Sequence, residues 1–264
     1  MEGTASTAVS EQFTANNPYL SYLLMLLNST NTARNLFKAV LEIVYPVHCG
    51  GCNEKGGDVL CDKCVDSLRM VEDDSTCPVC GRWLGKKAVC GECIQKDRGF
   101  REGYYGFYFE NKLREAIHAF KFHGRKDVGK HLVHLIKGKI VSFSGSFDCI
   151  IPMPVTEKRL KERGFNQSFI IGEEISKITG KPLYYSVLYK AKDTMDQYSL
   201  HRDERKKNIR GAFTVRNGHK IKAKNVLLVD DLFTTGYTAK EASGTLLKAG
   251  AGHTLFFALA RTPS

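Results

Sequence analysis

Val226-Leu227-Leu228-Val229-Asp230-Asp231-Leu232-Phe233-Thr234-Thr235-Gly236-Tyr237-Thr238 is the stretch from which the architecture follows. Asn225 to Val229 carries apolar residues without alternation, as a strand buried on both faces does. Ala239, Ala242, Leu246 and Ala249 then recur at helical spacing before Gly250. In open α/β sheets ligands sit beyond the carboxyl ends of strands, and this strand delivers Asp230 and Asp231 to that edge. Two ionised carboxylates accept well from neighbouring sugar hydroxyls. Thr234, Thr235, Gly236 and Thr238 follow where a helix begins, and the free amides and positive end of a helix attract phosphate. Ribose 5-phosphate presents hydroxyls to one group and phosphate to the other. The competing explanation, an N-capped turn with no ligand, needs fewer residues than are spent here.

Outward from this loop, strands and helices alternate. Tyr104 to Phe109 predicts a strand, 111–122 and 127–141 predict amphipathic helices, and Phe147 to Pro152 predicts a short apolar strand. A polar loop and a helix bearing Phe165, Phe169, Ile175 and Ile178 follow, closed by Gly180. Thr254 to Ala260 predicts a last strand. The order implies an α/β fold, a mainly parallel sheet covered by helices on both faces.

Residues 49–93 are poor in large aliphatics and cannot build a core without a staple. Eight of the nine cysteines stand there in Cys-x-x-Cys pairs: Cys49/Cys52, Cys61/Cys64, Cys77/Cys80 and Cys90/Cys93. That spacing suits thiolate coordination of structural Zn2+ better than a set of disulfides, and the gaps of eight, twelve and nine residues predict two consecutive four-cysteine sites. Interleaved pairing is the alternative. Gly50, Gly51, Gly81 and Gly91 would relax the backbone where thiolates converge. Cys149 lies in an apolar strand and reads as a buried hydrophobe. Thiol usage of this kind implies a reducing, cytoplasmic setting. Tyr19 to Leu27 is far shorter than the roughly 20 residues a bilayer helix needs, so neither membrane insertion nor a secretory signal is expected.

The expected organisation is a loosely ordered extension over 1–35, a helix (36–44) leading into a zinc-binding region over 36–98, and a second domain over 99–264. The 264 residues carry a formal charge of +11, which implies anionic partners. Lys158, Arg159, Lys161 and Arg163 form one basic cluster, and Arg202, Arg205, Lys206, Lys207 and Arg210 another. Gly124 to Lys130 imitates a phosphate-binding P-loop, but His131 stands where Ser or Thr should meet magnesium, and a helix precedes it. Lys121, Arg125, Lys126 and Lys130 are equally compatible with phosphate binding and with a solvated face.

Val226 to Thr238 resembles the signature with which type I phosphoribosyltransferases bind phosphoribosyl pyrophosphate (PRPP); Tyr237, where a small residue is commoner, is the one departure. Arg163-Gly164-Phe165-Asn166-Gln167 after Ile151-Pro152-Met153-Pro154, and Arg205 to Phe213, together with the cysteine region, look like the ComF (ComFC) family of competence proteins over roughly residues 36–262. That resemblance implies a type I phosphoribosyltransferase fold behind a double zinc ribbon, with a role in DNA uptake during natural transformation and contacts with single-stranded DNA and uptake proteins. The fold implies glycosyltransferase chemistry of nucleoside metabolism. Asp230 and Asp231 would hold the ribose and act in catalysis; Thr234, Thr235, Gly236, Tyr237 and Thr238 would hold the 5-phosphate. Pro152 to Val155 would lie near the pyrophosphate, neutralised by Arg159, Lys161, Arg163 and Mg2+. Gln197 to Arg210 would form a mobile cover. A non-catalytic nucleotide sensor or single-stranded DNA adaptor is the alternative.

Overall fold

The structure, a computed structural model, describes residues 47–56, 58–191 and 211–263. The expected extension over 1–35, the helix over 36–44 and the cover over 197–210 lie outside these residues. The chain divides into two units. In the described part of the smaller one, His48 bridges Lys55 and the Gly56 amide donates to Val47. The larger unit takes residues 49–53 and 59–264.

Its four-stranded sheet contains β1 (Gly103–Tyr108), β2 (Cys149–Pro152), β5 (Asn225–Phe233) and β6 (His253–Arg261) in the order β1-β6-β5-β2, all parallel. A short antiparallel pair, β3 (Leu188–Lys190) with β4 (Phe213–Val215), stands apart from it. The fold class is as the alternation implied. Val226 to Val229 are wholly buried because each face of the sheet is covered. Leu227, Val229, Leu255 and Phe257 meet one core together with α3 (Asn111–Phe122), α4 (Lys126–Leu135) and α7 (Gln167–Thr179). Val226, Leu228, Phe256 and Ala258 meet the other with Ala239, Ala242 and Leu246 of α8 (Tyr237–Lys248). At roughly 1.5–3 kcal/mol per buried large aliphatic or aromatic side chain, these two layers dominate the stability.

The helices after neighbouring strands β2 and β5 thus leave toward opposite faces. That makes the ends of those two strands a topological switch point, where α/β sheets generally leave room for a ligand.

Several boundaries differ from expectation, for identifiable reasons. β5 runs to Phe233, so the acidic pair lies inside the strand; β6 keeps pairing through Leu232↔Ala260 and Phe233↔Arg261. On its other side β2 stops at Pro152↔Val229, which leaves that edge of β5 open from Asp230 onward. The expected polar loop after β2 contains a helix, α6 (Glu157–Arg163), because Thr156 caps its start and Gly164, at φ 75°, closes its end. The helix expected over 127–141 breaks at Ile136 into α4 and α5 (Lys137–Ser142). The aromatic run of β1 is core: Tyr105 and Phe107 are buried, and Tyr104 stacks on Phe143 at 4.0 Å. Among the described residues no helix is long and apolar enough to cross a membrane.

Candidate functional site

At the open edge of β5 the two carboxylates meet different surroundings. Asp231 is buried and pairs with Lys121 of α3, Oδ2 to Nζ 2.9 Å, the side chains only 12% and 9% exposed. Asp230 is half-buried, and its Oδ1 accepts from the Ser168 hydroxyl at 3.0 Å and from the Asp231 amide at 2.9 Å. Burial and the neighbouring Asp231 charge push its carboxyl up to about 7, against the opposing pull of the Asp231 amide, Lys121 and Ser168. One acid is therefore locked by a cation, and the other is poised to change charge near neutrality.

The segment after β2 meets this edge through Ser168 and is tied to the end of β2 by Asn166. Asn166 caps α7 through the Ser168 and Phe169 amides, and its Nδ2 donates to the Met153 carbonyl at 3.0 Å. The cap thereby fixes the start of α7 to the end of β2. Gln167, buried, donates to the Lys121 carbonyl at 3.4 Å and accepts from Arg163 Nη1 at 3.3 Å. A chain of contacts thus joins Arg163, Gln167, Lys121 and Asp231. Arg163 also lies over the Phe122 ring at 5.2 Å. Arg159 is half-buried in the first turn of α6, while Lys161 stands exposed on the same helix.

Three residues past Asp231 the chain turns into α8. Thr234, Thr235, Tyr237 and Thr238 are partly exposed. Gly236 holds φ 79°, where a Cβ would lie 2.9 Å from Phe233 Cζ, so the turn excludes larger residues sterically and conformationally. It gives α8 no side-chain cap. The first amides of this 12-residue helix have no intrahelical acceptor, an arrangement that receives anions. Arg98 Nη1 donates to the Thr235 carbonyl at 2.7 Å.

Composition and spacing did not single out Ser168 or Arg98, and left Lys121 undecided. Their placement is tertiary; the one local signal was a lysine on the otherwise apolar side of α3, whose buried residues include Leu113, Ile117 and Phe120. The P-loop imitation is the start of α4, where Arg125 pairs with Asp127 at 2.8 Å. His134 sits 3.2 Å from the buried Glu174 of α7, a helix-to-helix contact.

The cysteines converge as two consecutive groups, Cys49, Cys52, Cys61 and Cys64, then Cys77, Cys80, Cys90 and Cys93, the sulfurs of each within 4.8 Å of one another. Cys52 and Cys61 sulfurs are 3.8 Å apart, and those of Cys80 and Cys90 3.6 Å. Tetrahedral thiolates about 2.3 Å from zinc would stand roughly 3.8 Å apart, so both donor sets fit that ion. Backbone amides support the sulfurs: Gly51 and Cys61 donate to Cys49, and Cys90 to Cys77. Cys77 is held down to about 4 by a hydrogen bond from Cys80 and by nearby amides, against burial. Side chains at Gly50, Gly51 and Gly81 would collide with Val128, Cys64 and Tyr105, whereas Gly91 faces open space and could carry one. Cys149 is wholly buried, and burial pushes its thiol up to about 11.

A family model described as a double zinc ribbon domain matches residues 40–94. Competence protein F of Haemophilus influenzae is 26% identical over 222 residues, covering 81% of this chain and 96% of that protein. The DNA utilization protein YhgH of Salmonella typhi is 27% identical over 209 residues, covering 77% and 90%. Competence protein ComFC of Bacillus subtilis is 25% identical over 210 residues, covering 74% and 81%. The resemblance to ComF-type proteins therefore extends over most of the chain. Among solved structures, a purine phosphoribosyltransferase of Pyrococcus horikoshii covers 50% of this chain and 70% of its own at 19% identity and TM-score 0.31. Adenine phosphoribosyltransferase of Leishmania tarentolae covers 54% and 74% at 16% and 0.34.

Proposed function

We propose that this relative of the ComF competence proteins binds PRPP or a related ribose-5-phosphate ligand at the open edge of β5, and that it transfers the phosphoribosyl group. One observation carries the reading: a carboxylate pair on an unpaired strand edge stands a few residues before an uncapped helix start whose turn requires glycine. Asp230 accepts from the ribose hydroxyls. Asp231, neutralised by Lys121, shapes the same wall without repelling the phosphates. Amides of Gly236, Tyr237 and Thr238 and the hydroxyls of Thr234, Thr235 and Thr238 receive the 5-phosphate.

In transfer, the bond from the anomeric carbon to pyrophosphate breaks, an acceptor lone pair forms the new bond, and the acceptor's proton leaves to solvent or base. Arg163, held by Gln167, and Arg159 and Lys161 on α6 offset the charge that builds on departing pyrophosphate. Magnesium, when bound with PRPP, would share that task. The reaction is tested by pyrophosphate release from PRPP across a set of nucleobase and amine acceptors. Acceptor-dependent release that vanishes in Asp230→Asn supports transfer; binding without release from any acceptor reduces the site to a sensor.

The net charge of +11 and the relatives' names favour a place in DNA uptake, with single-stranded DNA or cytoplasmic uptake proteins as partners. Affinity for single-stranded DNA that falls steeply with salt supports that part, since counterion release dominates such binding. The two cysteine groups hold structural zinc, and the ribbon region and the domain from residue 99 act as one protein.

A further inference from the structure

The contacts of one arginine lead from the second cysteine group to the phosphate loop. Arg98 follows the ribbon helix α2 (Gly91–Gln95), and its side chain is 11% exposed. Its guanidinium is shared two ways. Nη1 donates to the Thr235 carbonyl at 2.7 Å, and Nη2 lies 3.2 Å from Glu92 Oε1. Glu92 sits between Cys90 and Cys93 and is itself 3.0 Å from Arg82 Nη2. The segment around Arg98 is strapped to the first turns of α8: Lys240 Nζ donates to the Asp97 carbonyl at 2.6 Å, and a Cβ on Gly99 (φ 77°) would meet the Lys240 carbonyl at 2.9 Å.

We propose that Arg98 is a positioning residue that couples the second cysteine group to the phosphate loop, so that zinc held at the one and a phosphorylated ligand held at the other stabilise each other. The peptide unit is planar, so fixing the direction of the Thr235 carbonyl fixes the Gly236 N–H, which points the opposite way, away from the ribbon. Four thiolates around zinc keep a net charge of roughly −2, and a guanidinium held by Glu92, between Cys90 and Cys93, places a compensating cation beside the group. Loss of the ion removes both that charge and the staple of α2, and with them the anchor of the Thr235 carbonyl. Coupling between two sites is reciprocal, so ligand at the loop must slow zinc loss by the factor with which zinc tightens ligand. The ligand half rests on the function proposed above; the loop-ordering half does not.

The test uses the zinc-loaded full chain as wild type, Arg98→Ala and Arg98→Lys. It measures deuterium uptake over 234–239 and chelator-driven release of each zinc, with and without PRPP and magnesium. Arg98→Ala is expected to speed uptake about tenfold, the loss of one charge-assisted hydrogen bond, and to hasten release of one zinc while sparing the other. Lysine keeps the charge beside Glu92 but lacks the fork. It should restore zinc retention at an unchanged melting temperature while uptake stays fast. PRPP should slow release of that same zinc in wild type and not in Arg98→Ala. Wild-type uptake and wild-type release in both variants would overturn the coupling. If PRPP binds none of the proteins while the uptake and release results come out as expected, the coupling stands and the proposed ligand falls.

Discussion

Lys121 Nζ lies 2.9 Å from Asp231 Oδ2, and this buried pair divides the labour between two adjacent carboxylates. A cation held by α3 neutralises Asp231 inside the protein, and Asp230 is left with a hydroxyl, an amide and an open strand edge. An acidic pair that would otherwise repel phosphates becomes one neutralised wall and one adjustable acceptor.

Removing the cation strands a charge in the interior. Lys121→Met is expected to cost roughly 3–5 kcal/mol, the usual penalty for breaking one side of a buried ion pair. The double variant Lys121→Met/Asp231→Leu should recover most of it. Urea midpoints of the three proteins check this; a double variant no more stable than the single one contradicts it.

Asp230 gives stability a defined pH dependence. Its folded-state carboxyl titrates at about 7 and its ordinary value is 3.8, so between them the folded protein binds more protons than the unfolded chain. Its contribution is full below pH 4, is lost as pH rises toward 7, and is flat above. Asp230→Asn has no charge to bury. The variant should therefore gain on wild type in unfolding midpoint between pH 5 and pH 8, and a difference that does not move with pH refutes the assignment.

Native mass spectrometry should find two zinc ions per chain. Cys77→Ser should lose one and keep the other, since the two groups use separate cysteines. A single ion in wild type would disprove the two-site arrangement.

The turn into α8 admits no Cβ. Gly236→Ala forces alanine to φ 79° and its methyl to 2.9 Å from the Phe233 ring, which costs about 1–2 kcal/mol for the backbone alone. Thermal unfolding measures it; an unchanged melting temperature means the turn has another conformation available.

Local pattern carried much of this architecture. The unbroken Val226 to Val229 run marked a strand covered on both faces, the limits of α3 fall where the apolar period begins and ends, and the gaps of eight, twelve and nine residues between the cysteine pairs pointed to consecutive groups. The rest was decided by partners distant in sequence. β5 continues to Phe233 because β6 offers Ala260 and Arg261, which nothing local to the loop announces. Lys121 meets Asp231 from 110 positions away and Arg98 meets Thr235 from 137. Periodicity can place a lysine on a helix face, but not name the carboxylate that the face will cover.

Asp230 and the loop after it are proposed to hold a phosphorylated ribose. Calorimetric titration of PRPP with magnesium at pH 8, where Asp230 is ionised, into wild type and Asp230→Asn tests it most directly. Saturable binding to wild type is expected, with at least about tenfold weaker binding to the variant from the loss of a charge-assisted acceptor. Equal affinities, or no heat from wild type, would contradict it.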